Sequence, residues 1–278
     1  MKGFILAAGL GTRLRPITEY LPKPIVPILS TTSLEICYNT ILKNRISDIT
    51  INLHHLSEKI KKYIELKNIK CNLSIELPEI LGTGGGLGKL KNYFAGDDVL
   101  IYNADVISDI DLKILIDYHQ KHENFATLAL IKNNAQTDGV LIDENNCIIE
   151  FNDAKKNGYT FTGISIVSKQ IYCQLPENNF YNIIDLYNKI IKSKDAKKIQ
   201  GLIFKNVYWT DIGTVYSYWK LVEKIASSQE LQNNFFINPQ NNELQIFKKC
   251  KSIFINSIPI ETIKNSIVLN NIVIFSQI

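Results

Sequence analysis

The residues best suited to chemistry lie within the first 24 positions. The segment Leu6-Ala-Ala-Gly-Leu-Gly-Thr-Arg13 directly continues an apolar stretch, and Leu21-Pro-Lys-Pro24 follows shortly after. Glycines let a backbone approach a ligand closely, and successive N–H groups turned inward suit phosphate. Arg13 can hold phosphate oxygens with two parallel hydrogen bonds, and the prolines on either side of Lys23 favour a stiff, extended presentation of that lysine. The pattern predicts a phosphate-binding loop.

Two better-known phosphate loops do not fit this segment. A dinucleotide fingerprint needs a third glycine where this chain has Leu14, and a P-loop needs a Gly-Lys-Ser/Thr ending that is absent here. The loop therefore needs another explanation, and it depends on the elements that position it.

The order of apolar segments predicts an α/β fold, because strand-like runs alternate with helical patterns as far as Lys132. We predict a Rossmann-like, mostly parallel mixed sheet with helices on both faces. The predicted strands are Lys2–Ala7, Asp48–Leu53, Asn72–Leu77, Asp98–Tyr102 and Ala126–Ile131. The predicted helices are Thr32–Lys43, Ser57–Leu66 with Ser57 as N-cap, Asp111–His119, Ile183–Ile191 and Val215–Ile225.

Beyond Lys132 the pattern changes to a small antiparallel extension. Val140–Ile142 and Cys147–Phe151 predict a hairpin, and Thr160–Val167 predicts a further strand. We assign residues 1–226 to one catalytic domain and residues 227–278 to a linker and a short β-rich tail. The Asn/Gln-rich stretch 227–242 predicts a loop. The spacing in 263–274 suggests either a docked β-tail, which we favour, or a truncated left-handed β-helix fragment.

Composition excludes several classes of protein. The chain has 278 residues and a formal net charge of +4, with no basic block, so we expect no nucleic-acid partner. It lacks a run of 18 apolar residues, so we expect no membrane span and no targeting segment. Its five cysteines are widely spaced and form no CxxC pair, which favours a reduced, cytoplasmic protein without structural zinc.

Taken together, the N-terminal segment and the Leu-Pro-Lys-Pro motif resemble the signature of sugar-1-phosphate nucleotidyltransferases. The resemblance covers roughly residues 2–214 and implies condensation of an NTP with a sugar 1-phosphate, by attack on the α-phosphorus. It implies that Arg13 holds the β- and γ-phosphates and Lys23 the α-phosphate or the sugar phosphate. Leu81-Gly-Thr-Gly-Gly-Gly-Leu87 resembles the family's Gly-rich loop against base and sugar. The implied nucleotide-binding residues are Leu6, Ala8, Gly9, Gly11, Thr12, Arg13, Lys23, Gly82, Thr83 and Gly85.

Two aspartates carry the metal hypothesis. Asn103-Ala-Asp105 and Trp209-Thr-Asp-Ile-Gly-Thr214 resemble the family motifs that supply two carboxylates to Mg²⁺. Each aspartate has a simpler interpretation as a strand-end or helix-capping residue, and Asp211 precedes a predicted helix. If both carboxylates share one site, they repel each other, so removing either is expected to leave stability unchanged or slightly raised.

The chain is similar to a short bacterial branch labelled mannose-1-phosphate guanylyltransferase-like or N-acetylmuramate-1-phosphate uridylyltransferase-like. The resemblance implies sugar contacts from Asn103, Gly139, Glu150 and Gly163. Many relatives carry a Glu-Lys-Pro after the central hairpin, whose lysine holds the sugar phosphate. This chain has Glu150-Phe-Asn152 there, with Lys155 and Lys156 a few residues later.

Several alternatives stay open at this point. His54 and His55 are interpreted as strand packing, since adjacent side chains on a strand point to opposite faces. Phosphocholine is an alternative acceptor, with a cage drawn from Tyr159, Phe161, Tyr181 and Tyr187. A non-catalytic nucleotide-sugar-binding protein is the other alternative. The base, the sugar and a possible homo-oligomer are not decided.

Overall fold

The computed structural model describes residues 1–132, 139–151 and 158–237, together with the backbone of three short strands within residues 262–275. The described strands are β1 (Lys2–Leu6), β2 (Pro27–Ile28), β3 (Thr31–Thr32), β4 (Ile49–Leu53), β5 (Asn72–Ile75), β6 (Val99–Asn103), β7 (Val106–Ser108), β8 (Ala126–Lys132), β9 (Val140–Ile142), β10 (Ile148–Phe151), β11 (Tyr159–Val167), β12 (Ile199–Phe204), β13 (Trp209–Asp211), β14 (Thr262–Ile263), β15 (Ser266–Leu269) and β16 (Ile272–Phe275). The described helices are α1 (Ile17–Tyr20), α2 (Ser33–Lys43), α3 (Ser57–Leu66), α4 (Gly82–Lys89), α5 (Lys91–Phe94), α6 (Leu112–His122), α7 (Lys169–Tyr172), α8 (Ile183–Ile190), α9 (Val215–Ala226) and α10 (Gln229–Asn234).

The main sheet is mixed and mostly parallel, which confirms the predicted fold class. Its strands β6, β1, β4 and β5 run parallel to one another in that order. Strand β11 pairs antiparallel with both β6 and β8, and β12 pairs parallel with β8. The predicted hairpin forms from β9 and β10, and it joins the start of β11. The carboxyl ends of β1, β4, β5 and β6 therefore meet at one edge, where open α/β sheets bind ligands.

Helices cover both faces of this sheet, so successive residues of a strand enter different cores. Phe4 belongs to the core that includes Leu87 and Tyr187, whereas Ile5 belongs to the core formed with α2, α3 and α9. All five residues of β4 are buried, as expected for a strand covered on both faces. No helix in the described ranges is both long and apolar enough to cross a membrane.

Three local predictions differ from the structure. Helix α3 begins at Ser57, but its N-cap is Leu56 with φ 49° and without a side-chain cap. The expected Gly-rich loop is instead helix α4. The predicted loop after Ala226 contains helix α10, because Ser228 accepts a hydrogen bond from the N–H of Leu231 and caps it.

The tail contains three of the described strands. Strands β14, β15 and β16 pair antiparallel in sequence order. Rungs of a β-helix pair in parallel, so the tail strands do not form a β-helix fragment. The division of the chain at residue 226 stays a prediction.

Candidate functional site

An open cleft of about 230 Å³ lies at the carboxyl edge of β1, β4 and β6. It brings together segments that are far apart in sequence: the N-terminal loop, the Lys23 turn, the start of α4 and the end of β6. The lining residues are Leu6, Ala7, Ala8, Gly9, Gly11, Lys23, Pro24, Asn52, Glu76, Ile80, Gly82, Thr83, Asn103, Ala104 and Asp105. Most of the predicted nucleotide-binding residues are therefore gathered on one surface.

The N-terminal loop follows β1, and its backbone is uncovered at Gly9, which lines the cleft. A Cβ added at Gly9 would meet no atom within 4 Å, so a ligand can approach this backbone. Gly11 has φ +64°, a conformation that favours glycine, and its carbonyl accepts a hydrogen bond of 2.8 Å from the Thr18 hydroxyl. The turn from Thr12 to Leu14 is a short 3₁₀ helix anchored by the fully buried Leu14.

Arg13 stands on this turn with its side chain exposed. Among the described residues it forms no ion pair and no side-chain hydrogen bond. A guanidinium held at the rim of a cleft without such a partner is available for an anionic ligand. Thr12 and Arg13 flank the cleft rather than line it.

Lys23 and Asp105 form an ion pair across the cleft floor. Their side chains are 12% and 28% exposed, so the pair is partly shielded from water. Pro22 is extended as predicted, but Lys23 begins a 3₁₀ turn over Lys23–Ile25 instead of continuing the extended segment. The turn aims the ammonium group at Asp105 and gives the lysine a partner that sequence reasoning did not foresee.

The two candidate metal-binding aspartates lie on neighbouring backbone segments, although only Asp105 lines the cleft. Strand β13 pairs antiparallel with β7, with Asp211 opposite Val106, and the N–H of Ile212 donates to the Asp105 carbonyl at 2.9 Å. Helix α9 is capped by Thr214, which forms a capping box with Ser217, so Asp211 is not the helix cap. A Cβ at Gly213 would lie 2.9 Å from the Asp211 carboxylate, so the glycine leaves that carboxylate room.

Cys37 supports the turn that carries Asp105, a role that no sequence signal indicated. Its thiol is fully buried and donates to the carbonyls of Asn103 and Val106 at 3.7 and 3.5 Å. Burial raises the pKa of the Cys37 thiol well above its usual value, and the negative charge of Asp105 raises it further. Cys37 is therefore a neutral hydrogen-bond donor beneath the site.

Helix α4 forms the opposite wall, and its glycines pack against backbone. A Cβ would lie 2.8 Å from the Tyr181 carbonyl at Gly84, 2.2 Å from the Asn179 carbonyl at Gly85 and 2.1 Å from the Pro176 carbonyl at Gly88. Gly85 therefore contacts the chain behind the helix and is not brought to the cleft. Gly82 and Thr83, at the start of the helix, do line it.

Asn52 and Glu76 lie on the cleft floor and were missed in the sequence. Both side chains are polar and at most 2% exposed. Asn52 lies near the end of β4, and Glu76 directly follows β5. The Ala7 N–H donates to Asn52 Oδ1, Asn52 Nδ2 donates to Glu76 Oε1, and the Leu81 N–H donates to Glu76 Oε2, each at 2.7 Å. The available signal was a polar residue near the carboxyl end of a predicted strand.

The predicted sugar-binding residues are only partly gathered. Asn103 lines the cleft, and Gly163 lies against it: with φ +80°, a Cβ at Gly163 would be 2.7 Å from Asn103 Nδ2. Gly139 precedes β9 and Glu150 is exposed on β10, both outside the cleft lining. Lys155 and Lys156 lie outside the described residues.

The remaining candidates have structural partners. The ring nitrogens of His54 and His55 lie 2.8 and 3.1 Å from the carbonyl oxygens of Glu76 and Thr18. Tyr187 is 1% exposed and stacks on Phe151, so it cannot form part of a cage for a choline group.

Comparison with known proteins identifies the relatives of this chain. A family model described as Nucleotidyl transferase matches residues 2–228. The UTP–glucose-1-phosphate uridylyltransferase of Synechocystis sp. is 29% identical over 256 residues, which cover 84% of this chain and 65% of that protein. The D-glycero-α-D-manno-heptose 1-phosphate guanylyltransferase of Campylobacter jejuni is 31% identical over 225 residues, covering 79% of this chain and 97% of that protein. The match to the bifunctional protein GlmU of Methanococcus aeolicus spans only 55% of its length.

Solved structures show the same fold. HddC from Yersinia pseudotuberculosis, complexed with GMP-PN, superposes with a TM-score of 0.66 at 22% identity, over 81% of this chain and 99% of that one. A putative glucose-1-phosphate thymidylyltransferase from Bacillus anthracis gives a TM-score of 0.70 at 20% identity, over 88% and 99%.

Proposed function

Since this chain belongs to the nucleotidyl transferase family, we propose that it condenses a nucleoside triphosphate with a sugar 1-phosphate to give a nucleoside diphosphate sugar and pyrophosphate. The observation that carries the proposal is the cleft in which Gly9, Lys23 and Asp105 meet, beside an Arg13 that has no partner within the described ranges. This arrangement joins a backbone open to phosphate with two cations and a carboxylate. The named activities of the curated relatives support the same reaction class.

In this proposal the N-terminal loop binds the triphosphate. Gly9 and Gly11 let the phosphates approach the backbone N–H groups, and Arg13 holds the β- and γ-phosphates that leave as pyrophosphate. The start of α4, at Gly82 and Thr83, forms the wall for the nucleoside. Positioning and charge neutralisation are the main contributions that a protein makes to such a transfer.

The proposed cofactor is Mg²⁺, held by Asp105 and Asp211. Carboxylate oxygens are its preferred protein ligands. Asp211 lies on β13, Asp105 directly precedes the strand β7 with which β13 pairs, and Gly213 leaves room beside the Asp211 carboxylate. When bound, the ion supplies charge neutralisation of the triphosphate at the phosphorus under attack.

Lys23 has two partners in the proposed reaction. In the structure its ammonium forms an ion pair with Asp105. We expect it to turn from Asp105 to the α-phosphate or the sugar phosphate as negative charge develops there, because a nearby cation stabilises a charged transition state. The acceptor needs no general base, since a phosphate monoester dianion is already nucleophilic at neutral pH.

We further propose sugar contacts from Asn103 and Gly163, which adjoin the cleft, and from Gly139 and Glu150, which lie outside its lining. The compartment proposed is the cytoplasm. The four cysteines that the described ranges include are all free, as expected in a reducing compartment.

The decisive experiment mixes purified protein and Mg²⁺ with each of the four NTPs and a panel of sugar 1-phosphates and phosphocholine, and measures pyrophosphate. Release with one NTP and a sugar 1-phosphate supports the proposal. Release only with CTP and phosphocholine would assign the alternative acceptor. Nucleotide binding in a titration without any release would indicate a binding protein instead.

Variants of the aspartates test the metal assignment. Asp105→Asn and Asp211→Asn should each lower turnover about 10²- to 10⁴-fold, and the double variant should be barely worse, because groups that act on one ion are not additive. Asp117→Asn, which removes an exposed carboxylate paired with Lys113, is the matched control and should leave the rate unchanged. Repulsion between the two carboxylates predicts unchanged or slightly raised stability on removing either one. Asp105→Asn also leaves Lys23 without its partner, so we expect a slightly lower melting temperature for this variant.

A further inference from the structure

Two backbone N–H groups on opposite walls of the cleft are joined by two side chains. Ala7 begins the N-terminal loop, and Leu81 is the residue from which α4 starts. Between them lie Asn52 and Glu76, linked in series by three hydrogen bonds of 2.7 Å each. The chain of contacts therefore spans from the proposed phosphate loop to the proposed nucleoside wall.

The backbone N–H groups of Ala7 and Leu81 determine which functional groups can lie between them. Both ends are donors, so each side chain must turn an acceptor outward. Where the side chains face each other, one must donate and the other accept. An amide offers one acceptor and one donor, whereas an ionised carboxylate offers two acceptors. One amide and one carboxylate therefore satisfy all three hydrogen bonds, but two amides or two ionised carboxylates do not.

The carboxylate of this pair is buried without a cation. Glu76 is 0% exposed and takes part in no salt bridge among the described residues. Its second oxygen accepts from the N–H at the start of α4, where the helix dipole favours negative charge. Gly86 permits the approach, because a Cβ there would lie 2.9 Å from Glu76 Oε1 and 3.5 Å from Asn52 Nδ2. Burying a charge is costly, so this arrangement is specific.

We propose that Asn52 and Glu76 act as positioning residues that hold the phosphate loop and α4 at a fixed separation for nucleotide binding. The kinetic part of this inference rests on the proposed nucleotidyl transfer. The bridge itself does not, because it is defined by contacts within the protein.

A swap of the two functional groups tests the bridge. Glu76→Gln sets two amides against each other, and Asn52→Asp sets two carboxylates face to face. The double variant Asn52→Asp/Glu76→Gln restores every hydrogen bond. The carboxylate introduced at position 52 accepts from the Ala7 N–H and from the amide introduced at position 76, and the oxygen of that amide accepts from the Leu81 N–H. Glu79→Gln makes the same change at an exposed glutamate three residues away and is the control.

We expect each single variant to melt about 3–10 °C below the wild type, and the double variant to return to within about 2 °C. Each single variant should raise the KM for the NTP by about 10-fold or more, with the KM for the sugar 1-phosphate within about 3-fold, since the bridge borders the nucleotide. The double variant should recover most of the NTP KM. Glu79→Gln should change neither.

Additive losses in the double variant would overturn the proposal. If neither single variant folds, a folded double variant supports it and an unfolded one refutes it. If the wild type turns over no NTP, the proposed function fails, but rescue of the melting temperature still decides the bridge. Rescue of melting without rescue of the NTP KM would refute the positioning role.

Discussion

The two walls of the cleft both carry glycines, and they use them in opposite ways. At Gly9 an added Cβ would meet nothing within 4 Å, whereas at Gly85 and Gly88 it would lie 2.2 and 2.1 Å from backbone carbonyls. One wall is open to a ligand, and the other is closed against its own chain. A glycine-rich sequence therefore does not by itself identify a ligand-binding loop, because the absence of a side chain serves close packing equally well.

The largest effect should come from the closed wall. We expect Gly88→Ala to destabilise the protein by about 3 kcal/mol or more, because its Cβ would overlap the Pro176 carbonyl and neither backbone can move freely. Urea denaturation measures the loss. Gly9→Ala is the matched control in open space and should change stability by less than about 0.5 kcal/mol. Equal effects of the two substitutions would remove the contrast between the walls.

The open wall should respond in function instead. Arg13→Ala should raise the KM for the NTP about 10- to 100-fold, because it removes charge-assisted hydrogen bonds to phosphate. Its stability should be unchanged, because Arg13 has no partner among the described residues. Steady-state kinetics measures the KM for the NTP, and thermal melting measures the stability. Arg15→Ala, the exposed arginine two positions on, should stay within about 3-fold of the wild type. A larger effect at Arg15 than at Arg13 would reassign the phosphate contact.

Within the open wall, Gly11 should differ from Gly9. Its φ of +64° and a Thr18 methyl 2.9 Å from an added Cβ make Gly11→Ala unfavourable by about 1–2 kcal/mol. Denaturant unfolding of Gly11→Ala and Gly9→Ala, measured side by side, checks this difference. Comparable stability of the two variants would mean that the turn relaxes without cost.

The smallest expected effect lies behind the closed wall. Burial raises the pKa of the Tyr187 hydroxyl, which has no hydrogen-bond partner among the described residues. Below about pH 10 the phenol is neutral in both the folded and the unfolded chain, so its titration does not affect stability. Above that pH it ionises in the unfolded chain but stays neutral when folded, so the free energy of unfolding falls as pH rises. Tyr187→Phe should therefore gain about 1 kcal/mol at pH 7 and lose less stability between about pH 9 and 11. Lower stability of the variant at pH 7 would reveal an unrecognised partner of the hydroxyl.

The sequence predicted most of the fold because its signals are local. Alternating apolar segments located the strands of the main sheet other than β12 (Ile199–Phe204), including the hairpin of β9 and β10, usually to within a residue or two. The loop motif and the Leu-Pro-Lys-Pro motif are each a continuous run of residues, so the family resemblance can be recognised from the sequence alone. Helix α4 failed as a prediction because glycine has low helix propensity, and only packing against residues 176–181 makes a glycine-rich helix favourable.

The amino-acid sequence by itself determined most of the strands of the main sheet and the longer helices, and it indicated which loop could bind phosphate. Only the tertiary structure decided which side chains meet. Lys23 pairs with Asp105 across 82 positions, and Asn52 pairs with Glu76 across 24. Such pairs depend on the order of strands in the sheet, which brings distant carboxyl ends to one edge. Local preferences carry no information about that order, because it is set by the joint packing of two cores on the two faces of one sheet.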